Sequence, residues 1–403
     1  MTAVTGKTVY ILGAGASFHT GAPLLRDFLV TARFLLNSKP DLVYKDKFEN
    51  VFKWIDGLRA AAYYINLDLD NMEHLFSIAE MKRQLGHPDG EEIFSDLRYV
   101  IMETLDDSRV EWKGEYYKPD DIYYNFVESL INLNIEREKI VVQRPFEKDV
   151  VITFNYDVML DYAFKVCMEI DYGLEATQNQ TDKFKVLKLH GSTNWGKCNE
   201  CSKKDGGVRL QIVDPVPTAG RGIMLQSQKK KDGTKWPFRM VTHVMKNTQC
   251  QRCKQNLLEP EIIPPTWSKY IKGSPLPAVW ANAVKEIEGA SQIVIIGYSM
   301  PLTDTFFQYL LTLGLSANPN LHRVVVANWD NSQELVERYE SKFSKSMKER
   351  HRLRFLPHRE IQKEIRGLGG GTHMVEVVRE SGKGGATFES FVKHDMMEIG
   401  SQL

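Results

Sequence analysis

The residues with the clearest chemical potential follow the first apolar run of the chain. Residues 9–12 break into the small residues Gly13-Ala14-Gly15-Ala16-Ser17. A strand that ends in small residues lets the backbone approach a phosphate, and a helix that follows directs amide donors and its positive dipole end toward the anion. The complete dinucleotide-binding fingerprint would have a third glycine at position 18, where this chain has Phe18. The pattern predicts phosphate binding, although Ser17 could instead serve as a helix cap.

A second group with chemical potential consists of four cysteines in two pairs. Cys198 and Cys201 form one Cys-x-x-Cys pair, Cys250 and Cys253 form the other, and 48 residues lie between the pairs. Such pairs favour one tetrahedral zinc ion, but their usual separation is about 15–20 residues, so an insertion must loop out between them. Because four thiolates leave no open coordination position, the zinc would be structural. Two unrelated reduced pairs, or a disulfide, are the alternatives.

Four further apolar runs end abruptly in polar residues, and these runs must position the chemistry. They occupy residues 150–154, 186–189, 293–296 and 324–327. Continuous β-branched runs of this length are typical of parallel strands that helices cover on both faces. Ligands of such sheets bind outside the carboxyl ends of the strands, so the polar clusters after these runs should gather along one edge. These clusters are Asn155-Tyr156-Asp157, His190-Gly191-Ser192, Gly297-Tyr298-Ser299 and Asn328-Trp329-Asp330.

Composition narrows the class of protein. The chain has 403 residues, enough for two or three domains, and its 52 Lys and Arg residues balance 52 Asp and Glu residues. This balance gives no global field that would attract nucleic acid or an anionic membrane. No apolar run approaches the roughly 20 residues of a membrane span, and the N-terminal residues lack the layout of a signal peptide. We therefore expect a soluble cytoplasmic protein that has no membrane partner.

The distribution of apolar residues divides the chain into three parts. Residues 24–147 lack sheet-type runs and predict a helical insertion, with helical periodicity at 72–79 and 122–131. Residues 197–255 form a small zinc-binding module. The remaining segments, 1–23, 148–196 and 256–403, would form an α/β domain, a Rossmann-like parallel sheet with helices on both faces.

The zinc-binding module is locally basic. Its centre carries the run Lys229-Lys230-Lys231. Such a run is either a solvated loop or a contact surface for nucleic acid or an acidic partner, and the sequence leaves both open.

Taken in order along the chain, these motifs resemble those of the sirtuins. The matching motifs are Gly13-Ala14-Gly15-Ala16-Ser17, Gly21-Ala22-Pro23, Asn155-Tyr156-Asp157, His190-Gly191, the two cysteine pairs and Gly297-Tyr298-Ser299. The resemblance covers residues 7–23 and 148–330, so the helical insertion and the C-terminal tail lie outside it. It is closer to the sirtuin-like branch that consumes NAD in bacterial anti-phage defence than to the protein deacylases.

The resemblance implies a role for each matching residue. Asn155 and Asp157 would line the nicotinamide pocket, with His190 beside the nicotinamide ribose. There Asn155 would orient the attacking water and His190 would act as general base. Both Asn155 and Asp157 could instead cap the next helix, and His190 could be a turn residue. The residues implied at the pyrophosphate are Gly13, Ala14, Gly15 and Ser17; those implied on the adenosine side are Gly297, Tyr298, Ser299 and Asn328, with Asn328 near the adenine ribose.

Departures from the deacylases decide the expected acceptor. The chain reads Gly21-Ala22-Pro23-Leu24-Leu25-Arg26 where deacylases have Gly-Ile-Pro-Asp-Phe-Arg. The deacylase strand that pairs with an acyl-lysine peptide is replaced by Ile262-Ile263-Pro264-Pro265-Thr266. Proline has no amide donor and makes a poor edge for strand addition. The expected activity is therefore hydrolysis of NAD⁺ to nicotinamide and ADP-ribose, with NAD as a consumed substrate.

Two other functions stay open, an NAD-dependent protein deacylase or ADP-ribosyltransferase and a non-enzymatic sensor of NAD or ADP-ribose. A constitutively active NAD⁺ hydrolase would be toxic, so the resemblance implies a gated enzyme. Gating would come from assembly into a homo-oligomer or from a regulatory partner such as a helicase-type ATPase or an Argonaute-like protein. The helical insertion is the expected surface for that control.

Overall fold

The computed structural model describes residues 6–108, 112–113, 116–117, 121–131, 133–136, 139–142, 149–174, 183–205, 207–208, 210–214, 238–254, 258–263, 275–301, 304–330, 332–349, 352–356, 361–365, 374–378 and 387–396. The basic run 229–231 and residues 264–266 lie outside these ranges. None of the helices within the ranges combines the length and the hydropathy needed to cross a bilayer.

The strands, in chain order, are β1 (Thr8–Leu12), β2 (Trp112–Lys113), β3 (Tyr116–Tyr117), β4 (Leu133–Glu136), β5 (Lys139–Val142), β6 (Val150–Thr153), β7 (Glu169–Asp171), β8 (Lys183–Lys188), β9 (Gly191–Lys197), β10 (Leu210–Ile212), β11 (Phe238–Arg239), β12 (Glu259–Ile262), β13 (Gln292–Ile296), β14 (Arg323–Ala327), β15 (Leu353–Phe355), β16 (Ile361–Ile365) and β17 (Met374–Val378). The helices are α1 (Phe28–Ser38), α2 (Lys45–Leu58), α3 (Met72–Gln84), α4 (Gly90–Asp107), α5 (Asp121–Ile131), α6 (Met159–Cys167), α7 (Asn199–Asp205), α8 (Val241–Asn247), α9 (Leu276–Glu288), α10 (Thr305–Ser316), α11 (Gln333–Glu340), α12 (Lys345–Glu349) and α13 (Phe388–Ser390).

Seven parallel strands form the main sheet, in the order β15-β14-β13-β1-β6-β8-β7. All five apolar runs that the sequence predicts as strands lie side by side in it. Strands β1 and β13 are buried along their whole length, as expected for strands that are covered on both faces. The parallel α/β sheet predicted from the sequence is therefore confirmed. Strand β1 lies between β6 on one side and β13 on the other, so the strand order reverses at β1. The crevice of this sheet therefore lies beside the end of β1.

The helices between β1 and β6 share one hydrophobic core with the sheet. Helices α3 and α5 cover the two stretches whose periodicity predicted them. The ring of Phe126 in α5 lies 5.6 Å from the ring of Tyr10 in β1, nearly perpendicular to it. Whether residues 24–147 are a separate insertion domain stays a prediction.

A second, antiparallel sheet extends from the site to the cysteines. Its strand order is β10-β9-β12, and β9 begins at Gly191, immediately after His190. The same strand ends at Lys197, one residue before Cys198. The candidate site and the cysteine cluster are therefore connected by one buried strand.

One local expectation is wrong. No α-helix follows the glycine-rich loop directly: Ala14–Ala16 and Phe18–Thr20 form short 3₁₀ turns, and α1 begins only at Phe28. Gly21, with φ of 89°, ends the second turn in the left-handed region, and Pro23 has no amide proton to continue a helix. The dipole of a long helix is therefore not directed at this loop.

Candidate functional site

The ends of the central strands join in register at one edge of the sheet. The amide of Gly13 donates to the carbonyl of Ile296, and the amide of Phe154 donates to the carbonyl of Leu12. The amide of Leu189 in turn donates to the carbonyl of Thr153. Each bond extends the sheet by one step beyond the strands, so the polar residues that come next start from fixed positions. The sheet edge therefore brings together the loops after β1, β6, β8 and β13.

Most backbone amides of the glycine-rich loop already have hydrogen-bond partners. The amides of Gly13, Gly15, Ala16 and Ser17 all donate to backbone carbonyls, at 2.8–3.1 Å. Gly15 donates to the carbonyl of Gly297, which ties this loop to the loop after β13. A phosphate bound here would have to replace some of these bonds or use the remaining amides. The pyrophosphate role of Gly13, Ala14, Gly15 and Ser17 stays a prediction.

Ser17 is the centre of a buried hydrogen-bond network. Its hydroxyl donates to Oδ2 of Asp157 at 2.7 Å and accepts from Nδ2 of Asn155 at 3.0 Å. The hydroxyl of Tyr123 in α5 lies 2.7 Å from the same oxygen. A serine hydroxyl has one proton and two lone pairs. Because the proton goes to Asp157 and one lone pair to Asn155, the other lone pair accepts the proton of Tyr123.

The network gives Ser17 a definite local role. All three bonding positions of its hydroxyl are filled, and it makes no side-chain capping bond to the turn after it. The helix-cap alternative for Ser17 is therefore not what the structure shows. Its hydroxyl holds Asn155 and Asp157 in fixed relative positions.

The amide of Asn155 has only one orientation that fits its surroundings. Nδ2 lies 2.9 Å from the carbonyl oxygen of Gly13 and 3.0 Å from Ser17 Oγ. A carbonyl oxygen can only accept, so this end of the amide must be nitrogen, and its two N–H bonds are both used. The oxygen Oδ1 is then the group that Asn155 can offer to a ligand or a water molecule.

Asp157 combines two functions. Its Oδ1 accepts from the amide of Met159 at 3.0 Å, at the start of α6, while Oδ2 accepts from Ser17. The N-cap of α6 is Val158, so Asp157 holds the amide of Met159 from the position before the cap, and Asn155 bonds instead to the loop after β1. Asp157 is 4 % exposed, and its carboxylate provides the negative charge of this network.

His190 is held between two aromatic rings. Its ring centroid lies 5.3 Å from that of Phe154 and 5.8 Å from that of Tyr156. Its main-chain carbonyl accepts from the amide of Ile263 at 2.9 Å. The imidazole is 6 % exposed. Since neighbouring side chains of an extended segment point in alternating directions, the rings at 154 and 156 contact His190 while Asn155, between them, faces the glycine-rich loop.

A buried lysine that the sequence motifs do not include, Lys188, holds the loop after β6. Lys188 Nζ lies 2.6 Å from the carbonyl oxygen of Asp157 and 2.9 Å from Oδ2 of Asp161, and both charged side chains are 1 % exposed. Tyr172 donates its hydroxyl to the other oxygen of Asp161 at 2.5 Å. Burial and the nearby Asp161 carboxylate raise the pKa of Tyr172 well above its usual value, so it stays a donor. A lysine within an otherwise apolar strand end, two residues before His190, was the signal that could have pointed to it.

The residues expected on the adenosine side differ in their hydrogen bonding and exposure. The hydroxyl of Tyr298 donates to Asp304 at 2.6 Å, its ring stacks on Phe154 at 4.9 Å, and its carbonyl accepts from Asn328 Nδ2 at 2.9 Å. Burial and the Asp304 carboxylate raise the pKa of Tyr298 far above its usual value. Asn328 is half-buried and Ser299 is exposed. Tyr298 therefore positions the loop, while Ser299 and Asn328 are the more accessible groups.

The four cysteines form one cluster. Cys198 Sγ and Cys253 Sγ are 3.7 Å apart, as are Cys201 Sγ and Cys250 Sγ, and all four sulfurs lie within 4.8 Å of one another. All four are free thiols, so the disulfide alternative does not hold. A zinc–sulfur bond of about 2.3 Å places two ligands of a tetrahedron about 3.8 Å apart. The donor set and its spacing therefore fit a structural zinc ion, and the prediction that the two pairs combine is confirmed.

No family model and no curated protein match the chain. Solved structures with some likeness include Sir2Tm bound to a propionylated peptide, at 15 % identity and a TM-score of 0.30, covering 81 % of this chain and 83 % of that one. A Sir2 homologue in complex with NAD matches at 16 % identity and a TM-score of 0.37, covering 83 % and 90 %. A structure that concerns the basis of sirtuin substrate affinity matches at 16 % identity and a TM-score of 0.32, covering 81 % of this chain and 84 % of that one. Values in this range do not establish a family.

Proposed function

We propose that this protein is an NAD⁺ glycohydrolase that cleaves NAD⁺ to nicotinamide and ADP-ribose. The observation that carries the proposal is the fixed amide of Asn155, which has both N–H bonds committed and only Oδ1 to offer. An oxygen acceptor held in one orientation is suited to align a water molecule for attack. The sequence resemblance to the sirtuin-like NADases supplies the substrate.

The chemistry is derived from the groups present. As the bond between nicotinamide and ribose breaks, the electron pair leaves with nicotinamide and positive charge develops on the ribose carbon. Water oriented by Asn155 then attacks that carbon, and His190 accepts the proton it releases. Asp157, whose buried carboxylate accepts a hydrogen bond from Ser17, stabilises the developing positive charge. The products are nicotinamide, ADP-ribose and one proton.

The surroundings of β12 support water as the acceptor. A peptide acceptor would add to a strand edge through free backbone groups. In β12, Pro260 has no amide proton, and Arg98 of α4 lies 3.5 Å from its carbonyl oxygen and 3.4 Å from the carboxylate of Glu261. Lys197 of β9 contacts the same carboxylate at 3.1 Å. Helix α4 is thus anchored to β12, whose last residue, Ile262, begins the segment that replaces the peptide-pairing strand of the deacylases.

The proposal includes gating in anti-phage defence. We propose a cytoplasmic effector that is controlled by self-assembly or by a partner such as a helicase-type ATPase or an Argonaute-like protein. The helical region carries exposed apolar side chains one turn apart, Val30 with Phe34 in α1 and Met81 with Leu85 at the end of α3. Exposed apolar pairs of this kind are consistent with a surface used in association. Measurement of the mass in solution, alone and with candidate partners, tests this part.

The test of the main proposal is NAD⁺ consumption by the purified protein, with nicotinamide and ADP-ribose quantified. Wild type is compared with Asn155→Ala and His190→Ala. The control is His322→Ala, an exposed histidine that precedes β14 at the opposite end of the sheet. We expect turnover without any peptide in wild type and control, either alone or once a candidate partner is added, and loss in both site variants.

The other outcomes separate the alternatives. Nicotinamide release only with an acylated peptide would favour a deacylase or transferase. NAD binding without turnover, unaffected by His190→Ala, would favour a sensor. Turnover that survives both site substitutions would show that the chemical centre lies elsewhere.

A further inference from the structure

We propose that Tyr123 is a positioning residue of the candidate site, supplied by α5 from outside the segments that resemble sirtuins. The inference rests on the proposed function for its kinetic consequence. Its structural basis is the contact between the Tyr123 hydroxyl and Ser17 Oγ at 2.7 Å. At 1 % exposure, Tyr123 is among the most deeply buried large side chains of the chain.

The direction of the bond is set by the network. Ser17 donates to Asp157 and accepts from Asn155, so Tyr123 must be a donor to Ser17. A hydroxyl that lost this donor would have a vacant lone pair and more freedom to rotate. The oxygen would then be held by two partners in place of three, and the bond that it accepts from Asn155 Nδ2 would be less well oriented. Tyr123 therefore acts on Asn155 through Ser17.

The ring of Tyr123 is fixed by two other segments. It lies 5.4 Å from the ring of His19, in the turn after the glycine-rich loop, and 5.1 Å from the ring of Phe388 in α13. His19 and Phe388 also contact each other, at 5.6 Å. Three separate segments of the chain thus place one hydroxyl, and a phenylalanine at position 123 would keep all the ring contacts.

The test compares Tyr123→Phe with Tyr124→Phe, the same chemical change at the next position of α5, where the side chain is also buried. Loss of one hydrogen bond should lower kcat for NAD⁺ cleavage by about three- to tenfold, with KM for NAD⁺ unchanged, because the bond orients the attacking group and does not touch the substrate. Tyr124→Phe should leave both constants unchanged. If wild type turns over and Tyr123→Phe has the wild-type kcat, the proposal is wrong.

A second readout does not depend on turnover. The side-chain amide protons of Asn155, assigned by their disappearance in Asn155→Ala, should exchange with solvent faster in Tyr123→Phe than in wild type and in Tyr124→Phe. If wild type fails to cleave NAD⁺ both alone and with candidate partners, the proposed function fails, and this measurement still decides the positioning role. Unchanged exchange of the Asn155 amide in Tyr123→Phe would then overturn it.

Discussion

Nδ2 of Asn155 lies 2.9 Å from the carbonyl oxygen of Gly13, and this bond ties the end of β6 to the end of β1. The two strands are neighbours in the sheet, so the bond continues their pairing through a side chain. The bond also fixes which end of the side-chain amide is nitrogen and which is oxygen. The position therefore requires a side-chain donor, and the proposed function adds an acceptor on the same short side chain.

Asn155→Asp should show this requirement directly. The substituted carboxylate would place an oxygen against the Gly13 carbonyl and Ser17 Oγ in place of a donor. We expect the free energy of unfolding to fall by about 1–3 kcal/mol, because buried acceptors lose their partners, and turnover to be lost. Urea denaturation of Asn155→Asp beside Asn155→Ala measures it; an aspartate variant as stable as wild type would contradict the assignment of the amide.

Glycine at 297 is required by the approach of two loops. Its φ is +61°, and a Cβ there would lie 2.3 Å from the amide nitrogen of Ala16. Gly297→Ala should therefore destabilise the protein by roughly 1–3 kcal/mol and disturb the glycine-rich loop.

Gly57→Ala is the matched control, since this exposed helical glycine has open space around its Cβ position. Alanine there should stabilise the protein by up to about 1 kcal/mol. The thermal unfolding temperatures of both variants are compared with that of wild type. Equal changes in the two variants would show that the close approach of the two loops does not require glycine at 297.

The main sheet was predictable because its strands are continuous β-branched runs that only a doubly covered sheet can bury. Residues 9–12 and 293–296 show this pattern, and both became fully buried strands. The same reasoning placed Asn155 and His190 at one edge, because each directly follows such a run. The position of a residue just after a strand is thus strongly constrained by the strand itself.

The supporting residues were harder to predict because they act across large sequence distances. Tyr123 precedes Asp157 by 34 positions and lies in a helix whose periodicity only predicts burial. Nothing in the sequence pattern indicated that α4 contacts β12 through Arg98 and Glu261. The α-helix expected after Gly15 was wrong because Gly21 and Pro23 interrupt it. Such pairings depend on how elements pack, which periodicity does not specify.

The cysteine cluster predicts a dependence on zinc. Purified protein should carry about one zinc ion per chain, and Cys250→Ser should lose it and unfold at lower temperature. Cys167→Ser, a change outside both pairs, should keep the metal. Metal content by elemental analysis and thermal unfolding give the result. Full zinc content in Cys250→Ser would mean that the four thiols do not act together.

Stability should depend on pH through Glu103 of α4. Its carboxylate accepts from the amides of Val43 and Tyr44, which precede α2. Burial, reinforced by the nearby Asp107 and Asp106, raises the pKa of Glu103 from 4.5 to about 7, against the lowering effect of the two amides. The folded state therefore binds a proton more readily than the unfolded chain between these two values.

The sign of the effect is fixed by this difference. The contribution of Glu103 to stability is fully present below about pH 4.5 and is lost as pH rises through about 7, a change of about 1–3 kcal/mol. Glu103→Gln, neutral throughout, should flatten this part of the curve relative to wild type, and Glu92→Gln on an exposed position of the same helix is the control. Urea denaturation at several pH values measures the difference. Parallel curves for wild type and Glu103→Gln between pH 4.5 and 7 would show that Glu103 is not the group that takes up the proton on folding.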